Sequence, residues 1–221
     1  AQNDVGVINE DATLTVSNSA NANVSGSYDA TGEHSGDVIN TSSSSHTDSD
    51  PDDSASLVVS AIRIGGTEGS GTAGSIGSAL TGTYGQLTIA ANGSYSYVAN
   101  QSAADALDAG DTATDVFNYT LSDGTATDIG TITITVLGLN DPVVAANDTG
   151  SVNEDATLTV SDGSGDIIAN NDTDADDSAS LVVSAIRLGG TEGSGTAGTV
   201  GSALTGTYGQ LTLNANGSYS Y

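Results

Sequence analysis

FNYTLSDGTATDIGTITITV, residues 117 to 136, reads as two alternating runs around a turn. Phe117, Tyr119 and Leu121 fall on one face of an extended chain, and Ile132, Ile134 and Val136 do the same with threonines opposite. A period of two is strand geometry, because successive side chains point to opposite faces of a sheet. Ser122, Asp123 and Gly124 supply the turn between the runs. The six apolar side chains are therefore read as core.

The same signature extends outward in both directions. No stretch holds a sustained helical period, while short alternating runs bounded by Gly, Asn and Asp recur throughout, which predicts an all-β sandwich. Seven strands are expected in the first part of the chain: A over 5–9, B over 12–16, C over 57–64, D over 85–90, E over 94–98, F over 115–121 and G over 129–136. Asn92–Gly93, between D and E, predicts a type I′ hairpin, whose two central residues both need positive φ. AADALDAG, residues 103 to 110, is the one segment expected to turn helically, bridging E to F. The Gly/Ser-rich run from Gly65 to Gly82 is expected to join C to D as a long flexible loop.

The pattern then repeats. AQNDVGVINEDATLTV at residues 1 to 16 recurs as AANDTGSVNEDATLTV at 145 to 160, and residues 52–97 recur at 176–221 with 41 of 46 positions identical. Most of the differences, such as Ile64/Leu188 and Ile76/Val200, exchange one apolar residue for another, as core positions allow. One module in tandem follows: a complete copy over 1–141 and the first part of a second, strands A to E, over 142–221. The first copy carries 20 extra residues in a Ser/Asn-rich segment at about 18–47, expected to form a surface loop.

Composition excludes several classes of function. The 221 residues hold 28 acidic side chains against two basic ones, Arg63 and Arg187, for a net charge of −26, so nucleic acid and anionic lipid are repelled. The absence of cysteine removes disulfides, thiolate metal sites and a cysteine nucleophile. No apolar run approaches the roughly 20 residues of a membrane span. The two histidines, His34 and His46, both fall in the extra segment and have no counterpart in the second copy, so a catalytic role is not expected.

The acidic residues are not evenly spread. SDPDDSAS at 49–56 and TDADDSAS at 173–180 crowd carboxylates at alternate positions, which repel one another unless a cation or water screens them. Following the strand directions, the B–C loop with Asp48, Asp50, Asp52 and Asp53 and the F–G turn with Asp123 share the N-terminal end of the first module. The A–B turn, Glu10–Asp11, lies at the other end, where strand G leaves into the linker Asn140–Asp141. There three acidic groups converge on the junction: Glu10 and Asp11, the linker pair, and Asp172, Asp174, Asp176 and Asp177 of the second module. Glu154 and Asp155 repeat the A–B turn of the first copy, and Asp4 and Asp148 are further candidates. Oxygen-only ligands on flexible loops suit Ca²⁺, with its six to eight oxygens, better than Mg²⁺. The alternative is a solvated acidic surface.

The ordered series NEDATLTV, DTDADD, GTYGQLT, NGSYSY, Leu107–Asp108–Ala109–Gly110, FNYTLSDGTAT and GLNDP resembles the VCBS repeat of giant bacterial RTX-type adhesins over the whole complete copy. The junction is similar to that of cadherins, in which a glutamate after strand A, an Asn–Asp linker and a DxD loop of the next domain hold calcium. The resemblance implies tandem seven-stranded Ig-like modules in the extender of a secreted surface protein, stiffened by extracellular Ca²⁺ and serving adhesion or biofilm attachment. The extra segment and the long Gly-rich loop depart from that pattern. The partners expected are the neighbouring modules. Two other readings compete: a subunit of an extracellular filament joined by strand complementation between identical subunits, and a carbohydrate-binding sandwich using Tyr84 and Tyr208.

Overall fold

The computed structural model describes residues 1–17, 24–25, 36–39, 47–51, 56–176 and 179–221. The chain divides into two compact units, Ala1–Asn140 and Asp141–Tyr221. It is almost entirely β, and among the described residues no helix is long and apolar enough to cross a membrane.

In the first unit the chain forms β1 (Asp4–Asn9), β2 (Thr13–Val16), β3 (Val24–Ser25), β4 (Val58–Ile64), β5 (Ala73–Gly74), β6 (Leu80–Thr81), β7 (Gln86–Ile89), β8 (Tyr95–Val98), the single helical turn α1 (Ser102–Asp105), β9 (Thr112–Ser122) and β10 (Thr127–Leu137). One sheet has the order β1-β10-β9-β4-β5 and the other β3-β2-β8-β7-β6. The pairings are antiparallel except that of β1 with β10, where Asp4 sits opposite Ile132 and Asn9 opposite Leu137. The two sheets enclose one core, with Ile8, Ile62, Phe117, Tyr119, Ile132 and Ile134 from the first and Leu14, Leu87, Ile89 and Tyr97 from the second. Burying each such side chain contributes about 1.5–3 kcal/mol. Tyr97 meets Phe117 edge to face, with ring centroids 6.4 Å apart.

All seven expected strands form, and three short ones join them at sheet edges. Two of these, β5 and β6, lie inside the Gly65–Gly82 segment, which is thus partly ordered rather than one long loop: Ile64 N–H donates to Thr72 O at 3.0 Å and pairs the start of the segment with its middle. The helical stretch is shorter than AADALDAG, a single turn over Ser102–Asp105. The D–E turn also differs from expectation. Gly93 has φ +90° but Asn92 does not have positive φ; Gly93 N–H closes a turn onto Ala90 O, and Ala90 N–H reaches Ser94 O. This is a three-residue hairpin ending in a left-handed glycine, not a two-residue type I′ loop. Asn92 accepts from the Ser94 hydroxyl at 2.8 Å instead of occupying the left-handed region.

The extra segment is not all surface. Asp37 and Val38 are fully buried and Ile39 nearly so. Val38 N–H donates to Gly93 O at 3.1 Å, Asp48 N–H to Ile39 O at 3.3 Å, and Asp37 Oδ1 accepts Ile39 N–H at 2.8 Å. The second unit repeats this anchor with Asp166, whose Oδ1 accepts Ile168 N–H at 2.8 Å, while Ile167 N–H reaches Gly217 O.

The second unit contains β11 (Thr159–Val160), β12 (Ile186–Leu188), β13 (Thr196–Gly198), β14 (Ala203–Thr205), β15 (Gln210–Leu213) and β16 (Tyr219–Ser220), in sheets ordered β11-β16-β15-β14 and β12-β13. The strand A expected in this copy does not form, although its counterpart β1 does. The reason is pairing: β1 is held by β10, and residues 142–221 include no counterpart of β9 or β10. VVSAIR behaves in the same way, being strand from Val58 where β9 pairs with it and strand only from Ile186 in the second unit. Identical sequence takes its structure here from its partner, not from local propensity.

Candidate metal centre

At one end of the first unit, acidic side chains from three segments come together. Asp50 lies beside Asp123, in a hollow that Leu57, Leu121 and Asp128 also line. Asp123 accepts Ala126 N–H and Thr125 N–H, both at 2.6 Å, and these bonds hold its carboxyl below the usual carboxylate range. Deeper in, the Tyr119 hydroxyl lies 2.7 Å from Asp4 Oδ2, 2.9 Å from Gln2 O, 3.2 Å from Val38 O and 3.5 Å from Asp48 Oδ2. A phenol has one proton to give, so four acceptor oxygens crowd around a single donor. Burial, then the charge of Asp4, pushes the Tyr119 phenol well above its ordinary value and keeps it neutral. Burial also raises the Asp48 carboxyl, against the opposing pull of a hydrogen bond from Gln2 N–H.

The A–B turn faces the other end. Glu10 is buried; its carboxylate accepts Leu139 N–H, and its own N–H donates to Leu137 O at 2.9 Å, so it is tied to the chain leaving β10 just before Asn140. Asp11 follows in the left-handed region at φ +57°, its N–H bonded to Ala99 O at 3.0 Å. Asp155, 144 residues later, takes φ +60°, and these are the two non-glycine residues with positive φ among the described residues. A left-handed non-glycine residue is strained, and such strain concentrates at functional positions. Glu154 and Asp155 are exposed.

In the second unit the Asp-rich loop is fastened to the segment that follows the linker. Asp141 N–H donates to Asp176 Oδ2 at 3.2 Å and Ala146 N–H to Asp172 Oδ1 at 2.7 Å, while Val144 and Thr173 exchange two backbone bonds of 2.8 and 2.9 Å. Asp174 Oδ1 accepts Asp176 N–H at 3.2 Å, and Asp148 Oδ1 accepts the Asn170 side-chain amide at 2.9 Å. Asp176 Oδ1 is closed off from solvent and has no hydrogen-bond partner among the described residues. Asp52, Asp53 and Asp177, like His34 and His46, lie outside the described residues.

Among the described residues no three Asp, Glu or His side chains form a group that could hold a metal ion. The structure places Asp50 beside Asp123 and Asp176 N–H on Asp174 Oδ1, and the acidic loops are otherwise organised mainly by backbone N–H groups. Sequence reasoning missed Asp115, which is buried on β9 and accepts N–H bonds from Thr83, Tyr84 and Gly85 together with the Tyr97 hydroxyl. An aspartate beginning the apolar alternation of FNYTL is its sequence signal. Sequence reasoning also missed the Asp37 and Asp166 anchors, whose shared context SGDVIN and SGDIIAN was legible. No protein-family model matches the chain, and no curated protein sequence matches it.

Proposed function

We propose that this chain is a structural repeat segment of an extracellular bacterial surface protein, an extender of the VCBS-like kind with Ig-like sandwich modules, that binds Ca²⁺ through its acidic loops and linker. The observation that carries the calcium reading is Asp176: one carboxylate oxygen accepts the linker amide of Asp141, and the other is buried without a hydrogen-bond partner among the described residues. An ionised oxygen shut away from water is costly unless a cation or proton meets it. The side chains that the same loop offers, Asp172, Asp174 and Asp176, have only oxygen donors, which suits a hard cation of high coordination number. Calcium there would draw the loop carboxylates together and replace their repulsion with shared coordination. Within the first unit, Glu10, tied to Leu139, and the neighbouring Asp11 are further oxygen donors.

The module reading draws support from topology. A parallel β1–β10 pair in a sheet that continues through β9 and β4, opposite a β2-β8-β7 sheet, is the strand arrangement expected of Ig-like modules. Tandem near-identity suits a part that lengthens an object without adding a new site, and is the basis for a structural, non-catalytic assignment.

Calcium titration calorimetry on the chain and on an Asp174→Asn, Asp176→Asn variant tests this reading. Binding with a dissociation constant of about 0.1–1 mM, typical of extracellular modules, is expected for the parent and its loss for the variant. No heat of binding, or equal binding by both, would refute it.

A further inference from the structure

The repeat marks where one module passes into the next. Residues 145–160 repeat residues 1–16, so the counterpart of β1 follows directly on the linker that leaves β10. A pull along a tandem chain therefore enters a module at β1 and leaves it at the end of β10. In the first unit these two strands are neighbours, and theirs is the one parallel pairing among the described strands. The pairing runs the full length of β1, from Asp4 opposite Ile132 to Asn9 opposite Leu137.

Parallel pairing decides how such a load is met. In an antiparallel pair the start of one strand lies beside the end of the other, and a pull on those two points peels the ladder one bond at a time. In a parallel pair the two points lie at opposite ends, and the same pull drags the strands along each other, loading every bond of the ladder together. The side chains resist as well. A slip of β1 by one residue would turn the fully buried Ile8 to the outer face, and restoring the alternation takes a slip of two, about 6.6 Å of travel. Gly6 blocks the first of these steps: a Cβ there would meet Ile134 Cδ1 at 2.9 Å and Leu14 Cδ2 at 3.0 Å, so neither Val5 nor Val7 fits in its place.

Both ends of the pair are also fastened. At the start, Thr131 N–H donates to Asn3 Oδ1 at 3.1 Å. At the far end, Glu10 N–H donates to Leu137 O at 2.9 Å, and the Glu10 carboxylate accepts Leu139 N–H. These bonds extend the ladder by a residue beyond each end of β1.

We propose that the β1–β10 pair is a shear clamp that lets the module bear tension along the chain, a mechanical function separate from calcium binding. The proposal rests on the extender reading for the source of the tension, and on the fold alone for the resistance to it.

The chain contains no cysteine, so introduced thiols are unique points of attachment. The full chain carries either Ala1→Cys with Leu139→Cys or Ala1→Cys with Ala126→Cys, and is stretched between its two thiols by optical tweezers in excess chelator. Leu139 and Ala126 are exposed, so both variants keep the parent's core. The first pair of thiols shears β1 against β10. The second pulls from the starts of both strands, which lie at the same end, and peels them apart. Overall stability is common to the two, and only the direction of force differs. Shearing is expected to need a several-fold higher force, because forced unfolding follows the barrier along the direction pulled. It should release the whole stretch between the thiols in one step, with a contour gain of about 3.5 Å per residue less the folded span. Equal forces in the two directions, or a first step under shear that releases β1 alone, overturn the proposal. The chelator keeps this outcome apart from the calcium reading: failure of calcium to bind leaves the difference between directions intact, and loss of that difference leaves calcium binding intact.

Discussion

Tyr97 and Asp115 are joined across the first unit by a 2.6 Å hydrogen bond, from a phenol on β8 in one sheet to a carboxylate on β9 in the other. Burial, then this bond, pushes the Tyr97 phenol far above its ordinary value and keeps it a neutral donor. The carboxylate also organises the turn before β7, which makes it a tie between sheets within an apolar core. Asp115→Asn keeps the size but turns an N–H₂ toward donors, and is expected to destabilise the first unit by about 3 kcal/mol. Tyr97→Phe leaves the three amides satisfied and costs about 1 kcal/mol. Urea midpoints at constant slope measure both; equal effects would contradict the shared-acceptor account.

Asp48 predicts a pH dependence of unusual sign for an acidic protein. Its carboxyl is raised from 3.8 in the folded chain, so its contribution is fully present below the unfolded value and is lost as pH rises through the folded one. Asp123 and Asp166, lowered by backbone N–H bonds, act oppositely: their stabilisation is present above 3.8 and fades as pH falls through their folded values. Asp48→Asn removes the first component alone. The stability of the parent relative to this variant should therefore decline as pH rises above the ordinary carboxylate value of 3.8, read from thermal melts of each. A constant difference would show that Asp48 titrates as in the unfolded chain.

The left-handed Asp11 separates strain from function. Asp11→Ala should cost about 1 kcal/mol, since alanine tolerates φ +57° less readily than aspartate, whereas Asp11→Gly should change stability by less than that. Asp11→Gly thus removes the carboxylate with the turn intact. A weakened calcium response in this variant, measured by titration calorimetry, is expected; an undiminished one would remove Asp11 from the ligand set.

Much of the fold was legible because its signal is local. FNYTL and TITITV announce two strands by alternation alone, and NGSYSY marks a turn, though not its type, since only Gly93 is left-handed. The edge strands β3, β5 and β6 are two residues each and carry no period to read. The Asp37 anchor was hidden by length: the first copy has 15 extra residues before it and 5 after it, which together look like one tolerated insertion. The missing strand at the start of the second copy could not be read from DTGSVN itself, because β1 is held by β10 and residues 142–221 include no counterpart of β10. Of the candidate site, spacing gave the acidic loops but not their internal organisation. The amides of Asp141 and Ala146 come to Asp176 and Asp172 through the backbone pairing of Val144 with Thr173, a contact 29 residues apart that no motif encodes.

The most direct test is thermal unfolding of the chain in millimolar calcium and in excess chelator at fixed ionic strength. Calcium at about 1–10 times its dissociation constant adds about 0.4–1.4 kcal/mol to the folded state, which for units of this size raises the melting temperature by a few degrees per site. The account predicts a rise of that order that saturates with calcium and is lost in the Asp174→Asn, Asp176→Asn variant. Superimposable melts in calcium and chelator would contradict it, and would leave the acidic loops as solvated charge.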